Sequence, residues 1–109
     1  MPRPGDVVVC PFVGAQGVKI RTAAIISTDL YHSRGVDAVV AEITTQLWKA
    51  KQPTSFALQD WSAAGLRWPS VFRCYFSMVL KADLQTIGHL SDRDWQEAQA
   101  RLRLGLAVM

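Results

Sequence analysis

Val7-Val8-Val9-Cys10-Pro11-Phe12 is an unbroken apolar run that opens with three β-branched residues, the composition of a strand buried in a small core. Runs of the same kind recur downstream at short intervals. Thr22 to Thr28 is apolar through Ala23-Ala24-Ile25-Ile26, and Ala38-Val39-Val40-Ala41-Glu42-Ile43-Thr44 reads as a third strand. Ser55 to Leu58 alternates polar and apolar, Val71 to Leu80 is the longest candidate, and Gln85 to Leu90 is the last. Short strands at this spacing predict a small barrel or sandwich rather than alternating βαβ units. Between them, Gly14 to Lys19 reads as a loop because its two glycines admit positive φ. Asp29 to Asp37 reads as a turn or a short helical piece, and Gln46–Thr54 and Gln59–Pro69 as loops.

The period changes at the C-terminus. Ser91 stands before Asp92-Arg93-Asp94 and can cap a helix, with Asp94 three positions on as a capping-box partner. Trp95, Ala98, Leu102 and Leu106 then recur at helical spacing and make one apolar face. The fold class expected is therefore mainly β with a C-terminal helix, as one domain over 1–109.

Composition narrows the function. The chain has 109 residues and carries 12 Lys+Arg against 9 Asp+Glu, a net charge of +3. That balance permits an acidic partner such as nucleic acid without requiring one. No apolar run reaches the roughly 18–20 residues that span a bilayer, so a cytoplasmic protein with no membrane partner is expected. Two cysteines make no disulfide framework and no zinc spacing, and the two histidines, His32 and His89, have no ligand at metal spacing. No metal and no cofactor is expected. His32, in a polar turn, reads as a solvated surface residue, His89 as a packed or turn histidine, and Cys10 as a buried hydrophobe.

Two arginines stand apart from this pattern. Arg21 opens the second strand after the glycine loop, and Arg73 interrupts the apolar run Val71-Phe72-Arg73-Cys74-Tyr75-Phe76. Burying an unpaired guanidinium is expensive, so Arg73 must face solvent, a carboxylate such as Asp6 or Glu42, or a ligand. Thr44-Thr45 closes the third strand with two hydroxyls. The following Gln46-Leu47-Trp48-Lys49-Ala50-Lys51 interleaves an aromatic with cations, a composition suited to stacking bases and neutralising phosphates of single-stranded nucleic acid. Trp61 and Trp68 read as apolar cover for the barrel, with Trp68 also a candidate for stacking.

Taken in order, these segments resemble the MazF/PemK/Kid toxins of bacterial toxin–antitoxin modules. The segments are Arg3-Pro4-Gly5-Asp6-Val7-Val8, Ala24-Ile25-Ile26-Ser27-Thr28-Asp29, Val39-Val40-Ala41-Glu42-Ile43-Thr44-Thr45-Gln46, Lys49-Ala50-Lys51-Gln52-Pro53-Thr54 and Ile87-Gly88-His89-Leu90-Ser91-Asp92. The resemblance implies an SH3-like small barrel of the MazF/CcdB toxin type acting as a homodimer. It implies an endoribonuclease that cleaves single-stranded RNA without a metal and is restrained by a cognate antitoxin with an acidic C-terminal segment. The alternative is a toxin-fold protein that binds RNA or a protein target such as gyrase without cleaving.

By matching position, Arg21, Thr44 and Arg73 are the catalytic residues implied. Gln16, Lys19, Thr45, Gln46, Trp48, Lys49, Lys51 and Tyr75 are the RNA-binding ones. The groove implied is built from the loop after strand one, the loop between strands three and four, and the start of strand six. The sequence departs from the family where Thr22 replaces a proline, where Ala15 and Gln16 replace a carboxylate or histidine, and where Tyr75-Phe76 replaces an acidic residue followed by Gln. The arginines remain and the acidic partners are absent from their expected places. The proton acceptor that ribose-directed cleavage needs is therefore unassigned, with Tyr75 and His89 as substitutes.

Overall fold

The strands form where apolar side chains alternate or run together, and their register sets which side chains share a face. The structure, a computed structural model, describes residues 2–107. In chain order it comprises β1 (Asp6–Gly14), β2 (Gly17–Ile25), α1 (Asp29–Arg34), β3 (Asp37–Thr44), β4 (Phe56–Ala57), β5 (Val71–Leu80), β6 (Gln85–His89) and α2 (Asp92–Gly105). Leu47–Lys51 and Lys81–Asp83 form short 3₁₀ turns. All pairings are antiparallel, in the order β4-β5-β3-β2-β1-β6.

Of the glycine stretch at residues 14–19 expected as a loop, only Ala15 and Gln16 lie outside the strands. Gly14 pairs with Gly17 across Ala15-Gln16, and the positive φ (100°) falls on Gly17, one residue past the tip, where a bulged hairpin places a left-handed glycine. Val18 and Lys19 are therefore in β2, which begins five residues before the expected Thr22 and ends at Ile25. Thr28 instead caps α1, its hydroxyl accepting from the Tyr31 N–H.

Each face of the sheet carries a core. On one face Val8, Cys10, Phe12, Ala23, Ile25, Ala38, Val40 and Val79 pack together. On the other, Val7, Ala24, Ala41, Ile43, Phe56, Phe72 and Leu90 pack under α2, with Ala98 buried and Trp95 and Leu102 partly buried against them. A fully buried side chain of Val, Leu, Ile or Phe size contributes about 1.5–3 kcal/mol. Leu106 belongs to neither core: it lies beyond the last turn and is exposed. The sheet curls around the first core into a half-barrel. Phe12 of β1 stacks on Tyr75 of β5 at 5.5 Å, although these strands are not neighbours, and the Val13 N–H donates to Ser77 Oγ (3.1 Å).

Ser91 caps α2 as expected, accepting from the Asp94 N–H (3.3 Å), but Asp94 does not complete a capping box. Its buried carboxylate accepts instead from the Gln59 and Asp60 N–H groups (3.0 and 2.8 Å), pinning the loop after β4 to the helix. Asp60 in turn takes both Arg93 Nε and Nη2 at 2.7 Å and the Ser91 hydroxyl at 2.6 Å. Arg93's bonds, then Ser91's, hold its carboxyl down to about 2. The same loop presses its backbone on β6 so closely that a Cβ on Gly88 would collide with the Ala64 carbonyl oxygen.

His32 corrects its sequence reading. It is fully buried on the inner side of α1, with Nε2 2.6 Å from Ser27 Oγ, because the Thr28 cap turns that side of the helix onto the sheet. Among the described residues no helix is long and apolar enough to cross a membrane.

Candidate active site

At the open end of the curl, past Phe12, the side chains on the first core's face stop being apolar. Arg21 lies two residues before Ala23 on that face of β2, and Glu42 pairs with Ala23 from β3. Arg73 arrives from β5, where the register against β3 slips between Ala41 and Ile43, so that three β5 residues, Arg73 to Tyr75, stand against Glu42 alone. Alternation runs through the bulge unbroken: Phe72, Cys74 and Phe76 pack on the opposite core while Arg73 and Tyr75 face the cavity.

The result is a cavity of about 270 Å³ lined by Phe12, Gly14, Ala15, Gln16, Gly17, Lys19, Arg21, Glu42, Lys49, Arg73 and Tyr75. Arg73 Nη1 donates to Glu42 Oε1 at 2.7 Å, and Arg21 Nε stands 3.8 Å from Glu42 Oε2. The Glu42 side chain is only 4 % exposed, against 24 % for Arg73 and 42 % for Arg21. The carboxylate is thus at the floor and the guanidiniums are at the rim. Four cations and one carboxylate give the cavity a formal charge of +3, equal to that of the entire chain. Such a concentration of one sign attracts polyanions.

Of the residues read from the sequence, Arg21, Arg73, Gln16, Lys19, Lys49 and Tyr75 meet in this cavity. Trp48, 65 % exposed, lines the adjoining hollow, which shares Lys49 and Arg73 with the first. Lys49 Nζ lies over the Trp48 ring at 5.4 Å. Thr44 ends β3 on the face of Glu42, its hydroxyl accepting from the Gln46 N–H (3.2 Å), and does not line the cavity. Thr45 turns the other way, into a separate apolar depression with Arg67 and Trp68. Gln46 and Lys51 are exposed beside these hollows without lining them. Trp68 is 67 % exposed rather than core cover, whereas Trp61 packs on the second core. The strand supplying the far wall is β5, not the sixth strand. β6 pairs with β1 on the opposite edge of that hairpin.

Glu42 lines the cavity between both arginines, whereas from the sequence it reads only as a structural partner of Arg73. The expectation that the site lacks a carboxylate is overturned: β3 supplies one where β5 carries Tyr75. The signal available was the single charge in Val39-Val40-Ala41-Glu42-Ile43, on the opposite parity from Ala41 and Ile43.

The two substitutes weighed for it are differently engaged. Tyr75 Oη accepts from the Ala15 N–H (2.7 Å), and its ring carries the Arg73 guanidinium at 4.9 Å. His89 pairs with Asp6 (2.8 Å) at the other end of β1, about 26 Å from Gly14 at ordinary strand rise. The cysteines are poor nucleophiles: burial pushes Cys10 up to about 11, and burial also raises Cys74 against the opposing effect of Arg101. Among the described residues no group of three or more His, Cys, Asp or Glu is placed to hold a metal ion.

Comparison with known proteins follows the same lines. The family model for the PemK-like, MazF-like toxin of type II toxin–antitoxin systems matches residues 3–106. An endoribonuclease solved in complex with its cognate antitoxin, from a mycobacterial species, superposes with a TM-score of 0.79 at 19 % identity, covering 100 % of both chains. MazF in the MazE–MazF structure from Deinococcus radiodurans gives 0.74 at 15 % identity over 99 % of this chain and 97 % of the other. The Mycobacterium tuberculosis toxin MazF-mt6 gives 0.70 at 20 % identity over 89 % and 91 %. At such identities the likeness is one of fold. No curated protein matches the chain.

Proposed function

Because the chain belongs to the PemK-like, MazF-like toxins of type II toxin–antitoxin systems, we propose that it is an endoribonuclease cleaving single-stranded RNA at the Arg21–Glu42–Arg73 cavity. The observation that carries this reading is the convergence of two guanidiniums from β2 and β5 on one open, cation-lined cavity. Metal-independent RNA cleavage uses the ribose 2′-hydroxyl as an internal nucleophile and develops negative charge on the phosphorane oxygens. Guanidiniums are planar, permanently charged and able to hold two such oxygens at once, which is where electrostatic stabilisation has most effect. Thr44, on the same face of β3 as Glu42, is suited to bonding a non-bridging oxygen as the RNA leaves the cavity. Trp48 offers a stacking platform beside Lys49.

The acidic C-terminal segment of a cognate antitoxin would occupy the same hollows, since it presents carboxylates where RNA presents phosphates. The protein acts in the cytoplasm as a homodimer of one toxin domain spanning 1–109. The test is incubation of the purified protein with a mixed-sequence single-stranded RNA in EDTA, with the ends mapped. Discrete cuts leaving 2′,3′-cyclic phosphate and 5′-hydroxyl ends, lost in Arg21→Ala and Arg73→Ala, are expected. RNA left intact by the wild type refutes the nuclease reading in favour of a binding-only protein.

A further inference from the structure

We infer that Glu42 is the catalytic proton acceptor of this site. The inference rests on the endoribonuclease reading and deepens it. Of the described residues lining the cavity, only Glu42 has a carboxylate. Its two oxygens are in different states. Oε1 is committed to Arg73 Nη1 at 2.7 Å, while Oε2 has only Arg21 Nε, at 3.8 Å, beyond hydrogen-bonding range.

Arg73 uses one of its five N–H donors on Glu42 and keeps the others for a phosphate. The same guanidinium can therefore orient the carboxylate and hold the scissile group. Both guanidiniums flank this carboxylate, so a phosphate held between them would have Glu42 beside it and its adjoining ribose within the same cavity. Tyr75 is the alternative acceptor within the cavity, but its oxygen is already bonded to the Ala15 N–H. Among the described residues no histidine lines the cavity.

The step balances with one proton. Oε2 takes the proton of the 2′-hydroxyl as O2′ forms its bond to phosphorus, and the P–O5′ bond breaks. The departing O5′ takes a proton from water entering the open cavity, and Glu42 returns its own to solvent. The products are a 2′,3′-cyclic phosphate and a 5′-hydroxyl, with no net proton change on the protein.

Glu42→Gln keeps an oxygen for Arg73 and removes the acceptor. The experiment measures single-turnover cleavage of RNA and, separately, binding of the same RNA with a 2′-deoxy sugar at the scissile position. Glu42→Gln is expected to cleave about 10²–10⁴-fold more slowly. It should bind the uncleavable strand as tightly as wild type or more tightly, because one negative charge has left the cavity. Glu42→Asp, which retains a carboxylate, should recover part of the rate. A Glu42→Gln rate within threefold of wild type overturns the assignment, as does a loss of binding equal to the loss of rate. Failure of the wild type to cleave any RNA would refute the nuclease reading itself, a different outcome.

Discussion

Removing Arg73 should cost more stability than removing Arg73 and the Glu42 charge together. In the native protein the Glu42 carboxylate is 4 % exposed and depends on Arg73 at 2.7 Å, with Arg21 a weaker partner at 3.8 Å. Two unit charges about 4 Å apart interact by about 4 kcal/mol at an effective dielectric constant near 20. Breaking a buried pair by deleting one member costs about 3–5 kcal/mol, because the other charge is stranded. Arg73 is 24 % exposed and Arg21 remains beside the carboxylate. Both soften the loss, so Arg73→Ala should destabilise by roughly 2–3 kcal/mol.

Glu42→Gln keeps the acceptor for Nη1 and should cost about 1 kcal/mol or less. In the double variant no charge is stranded, and the loss should return to about 1–2 kcal/mol, giving a coupling of about 1–2 kcal/mol. Urea unfolding at neutral pH and 0.15 M salt measures all four corners, with the slope unchanged if the variants stay two-state. Energies additive to within about 0.5 kcal/mol, or a double variant less stable than Arg73→Ala, would refute the claim that the carboxylate depends on Arg73.

Three further outcomes are expected. Lys49 lines the cavity and Lys51 does not, so Lys49→Ala should flatten the salt dependence of RNA binding by about 0.7 in log–log slope. Lys51→Ala should leave it unchanged, and equal effects would move the RNA path. Asp94→Asn exchanges an acceptor for a donor facing a backbone N–H inside the protein, and should cost about 2–3 kcal/mol in urea unfolding; a loss under about 0.5 kcal/mol would mean that loop is not held by the carboxylate. Asp60, held down to about 2 in the folded protein, stabilises fully above its unfolded value near ~4, and that contribution is lost as pH falls through about 2. Asp60→Asn should therefore unfold at lower urea than wild type at pH 7, and the gap should close on acidification toward pH 2; a constant gap contradicts the linkage.

Much of the architecture was legible in local pattern. The Val-rich run, the Ser91 cap and the helical recurrence of Trp95, Ala98 and Leu102 all report interactions within a few residues along the chain, which is where periodicity and capping operate. The anomaly of Arg73 was legible too, because an unpaired guanidinium in an apolar strand demands a partner. The wrong expectations share a cause. Asp94 satisfies the spacing of a capping box but is taken by N–H groups more than 30 residues away. His32 has polar neighbours in sequence but sits behind α1 against the sheet. Lys49 and Lys51 differ only by their places on one turn of 3₁₀ helix, and only one reaches the cavity.

By itself the sequence determined which side chains alternate to a common face, where the helix begins, and that Arg73 had to meet solvent, a carboxylate or a ligand. Only the tertiary structure decided that the counter-charge is Glu42 and that it forms the floor of the candidate active site. A carboxylate in a β-rich run announces its face by parity. Which strands stand opposite that face depends on the curl of the sheet and the slipped register of β5, and these are set by the joint packing of both cores.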